Sequence, residues 1–389
     1  MYYREYYPKG DHATEASMSD PRQYWIGFNL VKGIGATRLK ALLNAFGDAE
    51  TAWRAPAQAL REAGLGPKLV ETLLQVRAGA DLEKIWEQIQ AKGITVLTWE
   101  DEPYPRHLKE IDQPPPVVYL RGSYLPEDEW AVAIVGTRRV TTYGRHVTEL
   151  IAADLARSGV TIISGLARGV DSIAHQAALE AGGRTLAVLG SGVDCIYPAE
   201  HRRLAEKIME NGALISDYPP GTPPEAGNFP PRNRIISGLS LAVIITEAGE
   251  RSGALITAGF AAEQGREVFA APGNITAPQS AGTNRLIQQG VFPLLEARDV
   301  LETLDLTQIS EHQAARKALP ADATEARLLE LLDNEPLHVD EIRHQTDLPI
   351  EKVTATLTLM ELKGMVRQVG NMHYVAIHEA QEDYLIGES

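Results

Sequence analysis

The chain has 389 residues, of which 44% are hydrophobic and 23% charged, and its formal net charge is −15. This composition is that of a globular protein with two or three domains and excludes a disordered or fibrous chain. No apolar stretch is long enough to span a membrane, and the first residues do not resemble a signal peptide. We therefore expect a cytoplasmic protein without membrane insertion. The single cysteine, Cys195, excludes an internal disulfide framework and a cysteine-based zinc cluster.

The acidic charge is unevenly distributed along the chain. Residues 131–299 hold 16 acids and 15 bases, whereas residues 300–389 hold 17 acids and 7 bases. Fourteen of the 15 bases in the middle are arginines, several of them in Gly-rich loops. Arginine presents a planar fork of donors that suits phosphate oxygens and base edges. The local arrangement therefore indicates nucleic acid in spite of the bulk charge.

A disordered start over residues 1–21 precedes a predicted helical domain over 22–93. Gly33-Ile34-Gly35 interrupts an apolar stretch that resumes as a helix through Phe46, and residues 63–74 repeat the pattern more weakly. A Gly-x-Gly turn between helices is typical of helix-hairpin-helix and SAM-like domains, whose free backbone N–H groups meet DNA phosphates. The equal alternative is a helical domain that packs without touching DNA.

Residues 94–304 predict the main domain. Prolines break any helix between 103 and 116, and the short apolar segment 117–120 is expected to form an edge element of the following sheet. Continuous apolar runs separated by helical stretches predict an α/β fold, an extended Rossmann-like parallel sheet covered on both faces. The expected strands are 132–135, 161–164, 186–189, 213–216, 242–246 and 267–270.

Loops of Gly, Ser, Thr and Arg follow these strands. The first three loops have the sequences GTRR from Gly136, SGLARG from Ser164 and GSG from Gly190. Two further segments, 229–238 and 247–254, place arginines or a serine beside the start of a helix. Backbone N–H groups at such turns bind phosphate, aided by the helix dipole. The pattern therefore predicts a nucleotide or nucleic acid at the strand ends.

Several side chains near these loops leave two interpretations open. Arg232, Asn233 and Arg234 suit an anion at a helix start, but they could instead close internal salt bridges. Asp171 and His175 fit bracing of their loop as well as ligand contact. Tyr197 fits base stacking and a place in the core equally well.

Common cofactor motifs are missing from the sequence. A dinucleotide site needs G-x-G-x-x-G after the first strand, and only Gly136 stands there. The Walker sequence is also absent, and the ten histidines are scattered. We therefore expect neither a cofactor nor a metal.

A polar linker over residues 305–321 leads to a last predicted domain over 322–378 and a tail over 379–389. Expected helices at 326–332, 339–345 and 350–363, followed by a hairpin that turns at Gly370-Asn371, make a winged helix. Such domains often bind DNA through the third helix. Because this helix has one Lys and one Glu over 350–360 in an acidic domain, we favour protein contact or regulation.

An ordered set of central motifs resembles the DNA-processing protein A family (DprA, also called Smf) of bacterial natural transformation. These motifs are VGTR, SGLARGVDSIAH, LGSGVDCIYP, FPPRNRIISGLS, TEAGERSGALITA and APGN with SAGTNRLI. The resemblance implies single-stranded DNA binding, a homodimer through the Rossmann-like domain, loading of the RecA recombinase, and no enzymatic activity. Together with the loop chemistry, it gives these candidate DNA-binding residues: Gly136, Thr137, Arg138, Arg139, Ser164, Gly165, Arg168, Gly169, Arg232, Asn233, Arg234 and Ser252.

A rival class is an enzyme that resembles the lysine-decarboxylase-like phosphoribohydrolases. There Arg232 would hold a phosphate, and Glu247 or Glu250 would assist glycosidic cleavage as acid or base. Those enzymes have a PGGxGT-type turn, which this sequence replaces with EAGERSG from Glu247. A structural adaptor, the third class, would leave five loops of donors without a ligand.

Overall fold

The computed structural model describes residues 20–306, 323–332, 336–346, 348–362, 365–369 and 372–376. The chain divides into two compact units, with the break between Leu304 and Asp305. Almost all of the expected disordered start, linker and tail lies outside the described residues, so those assignments stay predictions. Within the described residues, no helix is long and apolar enough to cross a membrane.

Six helices form the beginning of the first unit, and both Gly-x-Gly segments lie between helices as predicted. Gly33 and Gly64 have φ angles of +103° and +97°, in the left-handed region that favours glycine. Asp48 and Asp81 cap two of the helices by accepting backbone N–H bonds. The helices are α1 (Arg22–Asn29), α2 (Ala36–Phe46), α3 (Ala49–Arg54), α4 (Ala57–Glu62), α5 (Pro67–Gly79) and α6 (Leu82–Ala91).

These helices share a hydrophobic core with one face of the main sheet. Phe28 packs edge-on against Trp53 with ring centroids 5.2 Å apart, and both rings belong to the cluster that contains Tyr119 and Leu214 of the sheet. The hydroxyl of Tyr119 also donates to the side chain of Asn29 at 3.0 Å. The helical region and the sheet are therefore packed together.

The sheet has nine strands in the order β1-β2-β6-β5-β4-β3-β7-β8-β9. All six predicted strands are confirmed, with ends within one residue of those predicted. The strands are β1 (Thr95–Thr98), β2 (Val117–Gly122), β3 (Ala131–Val135), β4 (Thr161–Ser164), β5 (Thr185–Val188), β6 (Gly212–Ser216), β7 (Ala242–Ile245), β8 (Glu267–Ala270) and β9 (Phe292–Pro293).

The prediction that residues 117–120 form a sheet edge is wrong. Strand β2 pairs antiparallel with both β1 and β6, so β1 is the edge and Tyr119 of β2 is fully buried. The sequence did not mark β1 because it has only four residues and follows directly on a helical stretch. The other seven strands are parallel, as expected for the six that were predicted, and β9 is a strand that the sequence did not predict.

The parallel strands reverse their order at β3, which lies between β4 and β7. Connections run outward from β3 through β4 on one side and through β7 and β8 on the other. Such a switch point leaves a crevice at the carboxyl ends of the central strands. The helices of this part are α7 (Arg106–Glu110), α8 (Thr142–Arg157), α9 (Val170–Glu180), α10 (Arg202–Glu210), α11 (Phe229–Gly238), α12 (Ala254–Glu263), α13 (Ala281–Gln288) and α14 (Ala297–Thr303).

The second unit is a winged helix, as predicted. In its described residues, three helices pack around a core that includes Leu328, Ile342 and Leu357, and three short strands pair antiparallel in the order β10-β12-β11. Strand β10 was not predicted, and the expected turn at Gly370-Asn371 lies outside the described residues. The elements are α15 (Ala323–Leu331), β10 (Leu337–His338), α16 (Val339–Thr346), α17 (Ile350–Leu362), β11 (Val366–Gln368) and β12 (His373–Ala376).

Candidate nucleic-acid interface

A cleft of about 910 Å³ opens at the switch point of the sheet. The loop after β3, the start of α11 and the turn before α12 form its walls. Seven of the twelve predicted binding residues line it: Gly136, Thr137, Arg138, Arg139, Arg232, Asn233 and Ser252. The crevice expected from the topology is therefore the place where these residues meet.

Three exposed arginines, Arg138, Arg139 and Arg251, line the cleft. Among the residues that the structure describes, none of the three guanidinium groups has an ion pair or a hydrogen bond. The Arg138 guanidinium lies 5.8 Å from the ring centroid of Phe229, a distance typical of a cation–π contact. These charges are available to an anion that enters the cleft.

Arg232 is also in the cleft, but it is only 3% exposed and serves as a brace. Its guanidinium donates to the carbonyl of Gly165 at 2.9 Å and to the carbonyl of Val188. Burial lowers the pKa of Arg232 to about 10, so the group stays charged at neutral pH. Arg232 thus ties the loop after β4 to β5 and adds positive potential beneath the cleft.

The loop after β4 forms the floor beside the arginines. The Ser164 hydroxyl donates to the carbonyl of Ile134 at 2.6 Å, and the Asp171 carboxylate accepts from the backbone N–H groups of Gly165 and Ala167. Burial raises the pKa of Asp171, and the nearby Arg232 charge opposes that rise. Asp171 therefore braces this loop by hydrogen bonding, one of the two roles that the sequence left open.

Gly169 joins this floor to the loop after β3. Its φ is +78°, and a Cβ at this position would lie 2.3 Å from the carbonyl oxygen of Thr137. The N–H of Val170 donates to that same carbonyl. The cleft is therefore supported by Ser164, Gly165 and Gly169, which hold the neighbouring loops in place but do not line it.

Two predicted arginines lie outside the lining. Arg168 is exposed and pairs with Glu200 at 2.6 Å. Arg234 pairs with Asp217 at 2.8 Å and donates to the carbonyl of Gln113, so it closes an internal salt bridge. A DNA-binding role for either residue stays a prediction.

Three lining residues, Arg251, Phe229 and Tyr197, were not among the predicted binding residues. Tyr197 is 43% exposed, and its ring centroid lies 5.7 Å from that of Phe229. The two rings form an aromatic wall, which favours the stacking interpretation of Tyr197 over the core interpretation. Arg251 had a signal in the sequence through its Gly-rich turn, and Tyr197 was left open there as a stacking residue, whereas nothing in the sequence marked the Phe229 ring as part of the cleft.

The two carboxylates of the rival enzyme hypothesis do not line the cleft. Glu247 is 2% exposed, and its oxygens accept from the backbone N–H and the hydroxyl of Thr141 at 2.8 and 2.5 Å. Glu250 is exposed and does not line the cleft. Glu247 instead holds the start of α8 and borders a separate, smaller cavity.

The fold and the cleft define an α/β protein with an arginine-lined cleft at a sheet switch point and a second unit that is a winged helix. A profile of the family described as DNA recombination-mediator protein A matches residues 95–305, and one described as the DprA winged helix domain matches residues 312–372. The chain belongs to this family, whose members are DNA-binding recombination mediators.

Curated relatives and a solved structure agree with this assignment. Protein Smf of Synechocystis sp. is 37% identical in an alignment of 388 positions that covers 90% of this chain and 98% of that protein. DNA processing protein DprA of Bacillus subtilis is 42% identical over 57% of this chain and 75% of its own. The X-ray structure of DprA from Streptococcus pneumoniae superposes with a TM-score of 0.65 at 33% identity, covering 72% of this chain and 97% of that one.

Proposed function

We propose that this protein binds single-stranded DNA in the cleft at the switch point and loads the RecA recombinase onto it. The strand would be DNA taken up during natural transformation, and the protein would act in the cytoplasm as a homodimer formed through the Rossmann-like domain. The observation that supports strand binding most is that three arginines of the cleft make no ion pair or side-chain hydrogen bond to described residues and share the cleft with two aromatic rings.

The cleft suits a single strand better than a duplex. Phosphates would pair with Arg138, Arg139 and Arg251, and bases would stack on Phe229 or Tyr197. Stacking on an aromatic ring needs an exposed base face, which a duplex does not offer, and it tolerates any sequence. The polar side chains of Thr137, Asn233 and Ser252 add hydrogen-bond capacity along the cleft without a rigid pattern for base readout.

Strand binding is tested with a fluorescent oligo-dT and a matched duplex. Wild-type protein should bind the single strand more tightly than the duplex, and Arg138→Ala should weaken oligo-dT binding about tenfold because one charge-assisted phosphate contact is lost. Arg157→Ala is the matched control, since Arg157 is exposed, pairs with Asp154 and does not line the cleft. Equal binding by the two variants would contradict the proposal.

Recombinase loading and dimer formation need separate measurements. The wild-type protein should speed RecA filament assembly on DNA already covered by single-strand-binding protein, and Arg138→Ala should lose this effect. Sedimentation equilibrium should give twice the chain mass. A monomer would contradict the proposed homodimer. RecA assembly that does not respond to the protein would limit the function to strand binding.

A further inference from the structure

A second cavity of about 420 Å³ lies beside the cleft, between the start of α8 and the segment that follows β8. Its size is at the lower end of the range for small-ligand sites, roughly 300–1,000 Å³, which suits one base rather than a larger molecule. The residues that line this cavity include Tyr143, Glu247, Asn274, Ala277, Gln279 and Ser280.

Glu247 is the charged group of this cavity. It is almost fully buried, and no Lys, Arg or His among the described residues forms an ion pair with it. Both carboxylate oxygens accept from Thr141, yet each oxygen can accept a second bond. A buried carboxylate with no cation disfavours a phosphate and favours a neutral ligand that presents N–H donors.

Other polar groups of the cavity have unused hydrogen-bonding capacity. The Asn274 Oδ1 accepts from the N–H and hydroxyl of Thr276, which leaves its NH₂ group without a partner in the described part of the chain. The side chains of Gln279 and Ser280 likewise make no hydrogen bond to described residues. The half-exposed ring of Tyr143 is held in place because its hydroxyl donates to the carbonyl of Pro272 at 2.6 Å.

The cavity and the cleft share two loops. The loop after β3 lines the cleft from Gly136 to Arg139 and reaches the cavity at Thr141, and the turn after β7 lines the cavity at Glu247 and the cleft from Gly249 onward. The N–H of Thr137 donates to the carbonyl of Glu247 at 2.8 Å. A strand that leaves the cleft along this sheet edge would therefore reach the cavity.

We propose that this cavity is a base subsite that prefers guanine in the strand bound by the cleft, an inference that rests on the proposed function. Guanine presents an N1–H and a 2-amino group side by side, which the Glu247 carboxylate can accept together. Its O6 and N7 are acceptors that suit the free amide of Asn274 or Gln279. Tyr143 would provide a surface for stacking.

The test needs only wild-type protein at first. Oligo-dT is compared with strands in which one thymine is replaced by guanine or by hypoxanthine, at each position in turn. At one position, guanine should tighten binding about tenfold, as expected for a charge-assisted pair of hydrogen bonds. Hypoxanthine, which lacks the 2-amino group, should lose most of this gain.

Two variants then test whether the guanine preference arises in this cavity. Ala277→Leu should fill the cavity, abolish the guanine preference and leave oligo-dT affinity unchanged. Ile275→Leu is the control, since Ile275 is 92% exposed in the same loop and does not line the cavity. Oligo-dT binding without any guanine preference, or a preference that survives Ala277→Leu, would overturn the subsite alone. Failure to bind any single strand would overturn the proposed function.

Discussion

Arg138 and Arg232 lie in the same cleft, but they have different roles. Arg138 is exposed and has no ion pair or hydrogen bond within the described residues, whereas Arg232 is buried and donates to two backbone carbonyls. A buried arginine that satisfies carbonyls stabilises the arrangement of loops, and an exposed one can exchange water for phosphate. Sequence alone did not separate the two roles, because both arginines stand in similar Gly-rich or helix-start segments.

His175 is a second buried group, and its hydrogen bonds define which ring nitrogen carries the proton. The Thr185 hydroxyl donates to the carbonyl of Ile162, so it must accept the proton of His175 Nδ1, 2.6 Å away. The other ring nitrogen, Nε2, is buried and has no hydrogen-bond partner among the described residues. Burial lowers the pKa of His175 to about 3, and the nearby Arg232 and His201 act in the same direction.

The lowered pKa of His175 predicts a loss of stability in acid. Between the ordinary value of 6.5 and about 3, the unfolded chain binds a proton that the folded chain does not, so stability falls as pH falls. From pH 7 to pH 5 the free energy of unfolding should drop by about 2 kcal/mol more in the wild type than in His175→Asn. Urea unfolding at both pH values measures this difference, and identical drops would show that His175 titrates normally.

At the scale of the elements, the apolar runs predicted the strands well because parallel strands are buried on both faces. The sequence could not predict three features: the existence of strand β1, the antiparallel pairing of β2, and the salt bridge that the Arg234 side chain makes. Each depends on tertiary packing; Arg234, for example, pairs with Asp217, which lies just after β6 and 17 residues earlier in the chain. Phe229 was missed for the same reason, as only the folded chain brings its ring beside Tyr197.

Gly169 gives a prediction about the loops after β3 and β4. Gly169→Ala should lower the free energy of unfolding by about 1–3 kcal/mol more than Gly182→Ala. Both glycines have similar positive φ angles, but a Cβ at Gly182 meets nothing within 4 Å, whereas one at Gly169 meets the carbonyl of Thr137. Gly169→Ala should also weaken oligo-dT binding. Equal stability losses in the two variants would mean that the contact between the loops is unimportant.

At the scale of the whole molecule, a chain with a net charge of −15 places three exposed arginines in one cleft, where they make no ion pair or side-chain hydrogen bond to described residues. Each phosphate contact releases counterions, so the binding affinity falls as the salt concentration rises. The slope of log K against log salt concentration is about −0.7 for each contacted phosphate of a single strand. Arg138→Ala should reduce the slope by about 0.7, while Arg157→Ala should leave it unchanged. Titration of oligo-dT at several salt concentrations gives both slopes. An unchanged slope in Arg138→Ala would place the phosphate contacts elsewhere.

The central claim is that the strand lies in the cleft at the switch point. Photocrosslinking with an oligo-dT that contains 5-iododeoxyuridine, followed by mass spectrometry, tests this claim directly because the crosslinked residue is identified. The account predicts crosslinks at Phe229 or Tyr197, which line the cleft. Crosslinks confined to the helical region, residues 22–93, or to the winged helix would contradict it.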